Sequence, residues 1–366
     1  MWRSLLLLLV GCGRLHFGSG GASDGGDDPT GDGRSSDGRP PALVNNPVFV
    51  VQVTDIGALG LAGADAACQA AADNAPLPGV YRAWLSTNTV NAVDRLAGAR
   101  GWVRPDGTPF ADTVTDIVTG KALSPITVEA NGAFSPLSYV ASGTLGNGTT
   151  SGQTCNDWTS TTGQSSGGTT TATSTYFTDN QVTGGACGGT AGIYCFGIDR
   201  NEPMVITPAT GRIAFVSTPW APGGGLSDAD AHCQADAASH GLTETFVAAL
   251  AGTASSDPKQ RLNTAGMPWV RLDGIPLAAT AVDTFASASS RIAPLNLDID
   301  RMYIGADLVW TGFRTLTPTS CNDWIQTGGG QTGAATNGAY ELLFDLFGLG
   351  APIPCNTAQR LYCFEQ

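Results

Sequence analysis

Four short segments of this chain each occur twice, in the same order and at nearly the same interval, and this duplication constrains the fold more than any other feature. Residues 61–69 (LAGADAACQ) return as 226–234 (LSDADAHCQ), and 102–107 (WVRPDG) return as 269–274 (WVRLDG). The CNDW at 155–158 returns at 321–324, and the IYCF at 193–196 returns as LYCF at 361–364. Cys68, Cys155, Cys187 and Cys195 are followed by Cys233, Cys321, Cys355 and Cys363 at offsets of 165, 166, 168 and 168. A register held over that length means internal duplication. It predicts two consecutive domains, 46–199 and 206–366, each long enough to bury a core of its own.

Within each copy the local signals mix. An extended run at 48–53, matched by 213–217, precedes an alanine-rich helix expected over 65–72 and 228–238, with acidic groups in its first turn where the helix dipole favours them. A second short helix is expected near Asn91. Its counterpart follows Asp257 and Pro258, a cap and a first-turn proline. Asp106-Gly107 and Asp273-Gly274 read as hairpin turns. The remainder alternates short strands with Gly/Thr/Ser loops, among them a polar stretch at 159–180 expected to be mobile. The class is α+β on antiparallel sheet, with two short helices per copy.

The N-terminus reads as a targeting segment. Arg3 and an apolar run from Leu5 to Val10 lead into Leu9-Val10-Gly11-Cys12, a lipobox pattern that makes 1–12 a lipoprotein signal segment whose Cys12 is acylated and becomes the new first residue. The run is too short to span a bilayer, and several acyl chains on one cysteine anchor stably. Gly13 after the cysteine points to the bacterial outer membrane, on its outer or periplasmic face. Residues 13–45, dominated by Gly, Asp, Ser and Pro, form a flexible tether. A net charge of −13 repels phosphate backbones and heparin-like polyanions, so neither nucleic acid nor heparin is an expected partner.

Nine cysteines divide into Cys12 and four per repeat. Matched sets in an exported chain imply disulfides, and three pairings remain open within each set of four. Beyond the shared motifs, YRAWLST at 81–87, VDRL at 93–96 and the Trp-Val-Arg-x-Asp-Gly hairpin in the first copy, with VWTG at 309–312 and the closing LYCFE at 361–365 in the second, make the repeats similar to endostatin and to bacterial endostatin-like lipoproteins. The resemblance implies the C-type-lectin-like fold, with pairs Cys68–Cys195, Cys155–Cys187, Cys233–Cys363 and Cys321–Cys355. Neither the calcium-binding tripeptides of such lectins nor endostatin's zinc-binding histidines are matched here. No cofactor or metal is therefore expected.

No catalytic residues are assigned, because a nucleophile–histidine–acid triad needs a histidine and residues 46–199 contain none. Trp102, Trp158, Trp269 and Trp324 recur in both copies and are expected in the core. Asn-Asp ahead of Trp158 and Trp324 reads as turn chemistry. The second copy carries Trp310 where the first has Ala141, and an apolar loop at 339–349 holding Tyr340, Phe344 and Phe347. These four aromatics are the expected binding residues. The expected role is non-enzymatic: a surface adhesion lipoprotein that binds an extracellular protein or glycan. A structural envelope protein and a carboxylate-based glycoside hydrolase are the alternatives.

Overall fold

The computed structural model describes residues 44–366 other than 97, 180–183, 253–257, 306, 313–319, 329–331 and 338–351, with the backbone alone at 332–337 and 352. By its contacts, Leu43–Gln366 is one compact unit. Cys12 and the tether lie outside the described residues. Among the described residues no helix is long and apolar enough to cross a membrane.

The first repeat begins with β1 (Asn46–Val53) and α1 (Gly60–Asn74), followed by β2 (Tyr81–Ala83), β3 (Trp102–Val103), β4 (Pro109–Ala111), α2 (Val114–Val118) and β5 (Tyr139–Ala141). Four more strands close it: β6 (Gln164–Ser165), β7 (Gly167–Thr169), β8 (Gly185–Ala186) and β9 (Ala191–Gly197). The second repeat comprises β10 (Arg212–Val216), α3 (Gly225–Ser239), β11 (Phe246–Ala248), β12 (Trp269–Arg271), β13 (Leu308–Trp310), β14 (Thr332–Asn337), β15 (Pro352–Pro354) and β16 (Arg360–Glu365).

Each repeat builds a curled sheet around its first and last long strands. The order is β4-β3-β1-β9-β5-β7 with β2 also on β9, and β12-β10-β16-β13-β14-β15 with β11 also on β16. The mixture is α+β, but the sheets are mixed rather than antiparallel. β1 pairs β3 in parallel and β5 pairs β9 in parallel, as β10 pairs β12 and β13 pairs β16. The first strand is buried on both faces, which is why it reads as an unbroken apolar run. Phe49 and Val53 face α1, while Val48 and Val50 pack with Trp102, Tyr194 and Phe196 on the other side.

The long helices approach their sheets through small residues one turn apart: Ala64, Cys68 and Ala72 in α1, and Ala229, Cys233 and Ala237 in α3. α1 starts five residues earlier than the alanine pattern predicts, so Asp65 is not in its first turn. Its carboxylate instead accepts the Ala83 N–H (2.9 Å) and two bonds from Arg95 (2.6 and 2.7 Å). Asp230 makes the matching bonds to Ala248 N–H (2.9 Å) and Arg261 (2.6 Å). The expected second helices are single 3-10 turns, Val93–Leu96 and Pro258–Arg261. Four residues nucleate too little hydrogen bonding for an α-helix, and the arginine each turn carries is drawn to these aspartates. α2 was not anticipated; a reciprocal Thr113–Asp116 capping box starts it.

Four disulfides pin this frame: Cys68–Cys195, Cys155–Cys187, Cys233–Cys363 and Cys321–Cys355. This is the nested pairing implied by the resemblance. The outer bridges tie each long helix to the last strand. The repeats also touch. Leu123 packs with Ile275 and Ala293, flanked by Met204 and Tyr303, and Asn296 Nδ2 donates to Thr173 Oγ1 at 3.1 Å in a buried contact.

Candidate functional site

The Cys-Asn-Asp-Trp segments form the least ordinary backbone in the molecule. All four residues have left-handed φ in both copies: 51, 52, 58 and 64° for Cys155 to Trp158, and 49, 52, 55 and 66° for Cys321 to Trp324. Left-handed backbone costs roughly 1–2 kcal/mol per residue, least for Asn and Asp. Such a turn persists only if its surroundings over-determine it. The first residue is held by its disulfide. The last is held by its indole N–H, which donates to Ser86 O from Trp158 and to Ala251 O from Trp324, each at 2.8 Å. The Asp157 N–H donates to Thr154 Oγ1 and the Asp323 N–H to Ser320 Oγ, each at 3.2 Å.

A glycine completes each seat. A Cβ on Gly143 would stand 2.9 Å from the Trp158 ring and one on Gly312 2.7 Å from the Trp324 ring, and both glycines have positive φ. With its ends fixed, the turn lifts Asn156 and Asn322 into solvent. Asp157 Oδ1 accepts the N–H of exposed Asn88 at 2.7 Å, and Asn156 Nδ2 donates to Thr159 Oγ1 at 2.9 Å. The result is a rigid patch of amides and hydroxyls suited to hydrogen-bonding a polar partner. Among the described residues no group of three or more His, Cys, Asp or Glu is placed to hold a metal ion.

The structure redistributes the aromatics singled out above. Trp102, Trp158, Trp269 and Trp324 are fully buried, as their recurrence predicts. Trp310, expected at a binding surface, is also fully buried, edge-on to Trp324 at 5.5 Å between centroids. Tyr340, Phe344 and Phe347 lie outside the described residues. The described part of the polar stretch, 159–179, is built into the fold rather than loose. Thr170, Thr173, Thr178 and Phe177 are buried in it, and the Trp84 indole N–H donates to Thr178 Oγ1 at 2.8 Å. Short hydroxyl side chains bury readily when backbone and indole partners satisfy them.

Two buried arginines carry more of the architecture than their motif alone revealed. Arg104 pairs with Asp106 and donates to Pro125 O at 2.9 Å. Arg271 pairs with Asp273 at 2.6 Å and donates to Pro294 O (3.1 Å) and Asn296 Oδ1 (2.6 Å). Burial by itself would push the Asp273 carboxyl up. The Arg271 guanidinium, the Tyr303 hydroxyl and the Ile275 N–H together hold it below the usual carboxylate range. Burial pushes the Tyr194 and Tyr362 hydroxyls far up, so both stay neutral. No protein-family model matches the chain, and no curated protein does.

Proposed function

We propose that this chain is a non-enzymatic binding lipoprotein that displays two endostatin-like, C-type-lectin-like domains to an extracellular protein or glycan. The lipobox at Cys12 and the 13–45 tether support attachment to a bacterial outer membrane. The four disulfides accord with an oxidising compartment. The observation that carries the binding reading is the left-handed turn built twice, each strained and buttressed so that an asparagine is held out in solvent. Strain of this kind concentrates where a fold must present a group in a fixed position.

The test uses the full chain with Cys12→Ser, which removes the lipid, on an array of extracellular matrix proteins and glycans. At least one saturable ligand is expected, with binding unchanged by EDTA and weakened at least tenfold in the Asn156→Ala/Asn322→Ala variant. An array with no ligand would defeat the reading; a ligand indifferent to both substitutions would move the site elsewhere.

A further inference from the structure

One turn that both repeats share is built with glycine in the first and with arginine in the second. In the first repeat Val128 faces Phe134 across the turn, the Glu129 N–H donates to Ala133 O at 2.9 Å, and Gly132 sits at φ 80°. In the second, Leu297 faces Tyr303 and the Asp298 N–H donates to Met302 O at 2.9 Å. The residue in Gly132's place is Arg301, at φ 62°. Glycine takes up this backbone freely, whereas a Cβ crowds the following carbonyl. Outside the Cys-Asn-Asp-Trp turns, Arg301 is the one long side chain at left-handed φ among the described residues. Strain that the sister turn avoids points to a use for the side chain.

Arg301 lines an open pocket of about 390 Å³, bounded by residues 208–211 of the join and by the hairpin at 272–274. Its Nη1 donates to Leu272 O at 2.8 Å, which holds the guanidinium over the hairpin. The opposite side of the guanidinium, Nε with Nη2, has no hydrogen-bond or ion-pair partner among the described residues. The chain has 31 acidic and 18 basic residues, and Arg104, Arg261, Arg271 and Arg360 each pair with a carboxylate. The acids around Arg301 are engaged elsewhere. Asp298 takes the Met302 N–H and Arg360, and Asp300 takes His240 at 2.9 Å. Asp273, in the pocket wall, is held by Arg271, the Tyr303 hydroxyl and the Ile275 N–H. One exposed cation is left beside Pro208 and the half-buried side chains of Ile213 and Leu272. The Thr210 hydroxyl, which also lines the pocket, has no hydrogen-bond partner among the described residues.

We propose that this pocket binds a carboxylate carried beside an apolar group, with Arg301 as its counter-ion. The free side of the guanidinium presents two parallel N–H donors, a fork that matches the two oxygens of a carboxylate. Ile213, Leu272 and Pro208 receive the adjoining hydrocarbon, so that a mostly apolar wall supplies contact and a few polar groups fix orientation. The site is separate from the left-handed turns and does not rest on the binding reading above. A peptide C-terminus ending in an apolar residue and a short fatty acid both carry this chemistry.

The probes are acetyl-glycyl-leucine and hexanoate, each beside its carboxamide, titrated against the full chain with Cys12→Ser by saturation-transfer difference NMR. Saturable binding of at least one acid is expected, with its carboxamide at least fivefold weaker. Tighter binding of acetyl-glycyl-leucine assigns the pocket to peptide termini, and tighter binding of hexanoate to fatty acids. Arg301→Gly, which installs the first repeat's residue, should weaken acid binding at least tenfold and leave the melting temperature unchanged or raised. Arg301→Lys keeps the charge without the fork and should fall between the two. No saturable binding of either acid, or equal binding of acid and carboxamide, would overturn the proposal. So would an Arg301→Gly variant that binds the acids as well as the unaltered chain, or one whose melting temperature drops sharply, since Arg301 would then serve the fold. The acid–carboxamide comparison reads the contact in the unaltered chain and does not depend on any variant folding.

Discussion

Arg104 and Arg271 occupy the same place in the two repeats yet keep different company. Both reach back to an aspartate two residues on and to the carbonyl of a proline, closing the same turn. Only Arg271 adds Asn296, and only Asp273 adds the Tyr303 hydroxyl at 2.7 Å. Asn296 in turn bonds Thr173 of the other repeat. The same contrast appears along the long helices, where α3 sends Asp236 and His232 to Thr218 and α1 has Ala71 and Ala67 at those positions. Duplication kept the groups that set the backbone: the cysteines, the tryptophans of the hairpin and of the left-handed turn, the hairpin arginine and its aspartate. Positions that only decorate it were free to change, and the second copy filled them with polar cross-links while the first left them open.

If the frames are equivalent, matched disruptions should cost the same in both. Replacing Cys68 and Cys195 by alanine opens a loop of 127 residues, and replacing Cys233 and Cys363 opens one of 130. Each should lower stability by about 5 kcal/mol in the chain-entropy account, against roughly 4 for either inner bridge. Guanidinium unfolding of the four double variants measures this. A large gap between the two outer pairs would break the equivalence.

A smaller effect should separate two neighbouring tryptophans. Trp324→Phe leaves the buried Ala251 carbonyl without its donor, a loss of about 1–3 kcal/mol. The Trp310 indole N–H has no partner among the described residues, so Trp310→Phe should cost clearly less by the same unfolding measurement. Equal costs would mean that volume alone sets both positions.

The smallest expected effects concern pH, and they should appear in the second repeat. The folded Asp273 carboxyl lies below its unfolded value, so its stabilisation is present above about pH 4 and is lost as pH falls through the folded value. Asp273→Asn should flatten the acid limb of a stability–pH curve. His240 shifts the opposite way, raised first by the Asp236 carbonyl and then by the Asp300 carboxylate. Its contribution is present below about pH 6.5 and lost as pH rises through the folded value, so His240→Gln should trim stability at pH 5 and leave pH 9 unchanged. Since His240 is largely solvent-exposed, this change should be the weakest of the series.

What the amino-acid order determined by itself is whatever a short stretch of chain, or its exact repetition, can encode. The central strands announce themselves as apolar runs, the long helices as alanine stretches around Cys68 and Cys233, and the hairpins as Asp-Gly with Gly107 and Gly274 at positive φ. The matched cysteine sets marked a disulfide frame, while its pairing needed the resemblance and then the structure. Tertiary structure alone decided the parallel pairings, the burial of Trp310 and the packing of Thr173 and Thr178, because partners outside the local stretch of chain make those environments. The setting of Gln52 belongs to that second class. Ala71 and Glu129 are unremarkable in sequence, and only the fold brings them to one groove beside Gln52, where Ala71 offers no counterpart of the Asp236 carboxylate and Glu129 no counterpart of the Asp298–Arg360 pair in the other copy. A local pattern records a residue's own preference; whether its polar neighbours are satisfied is a property of the packed chain.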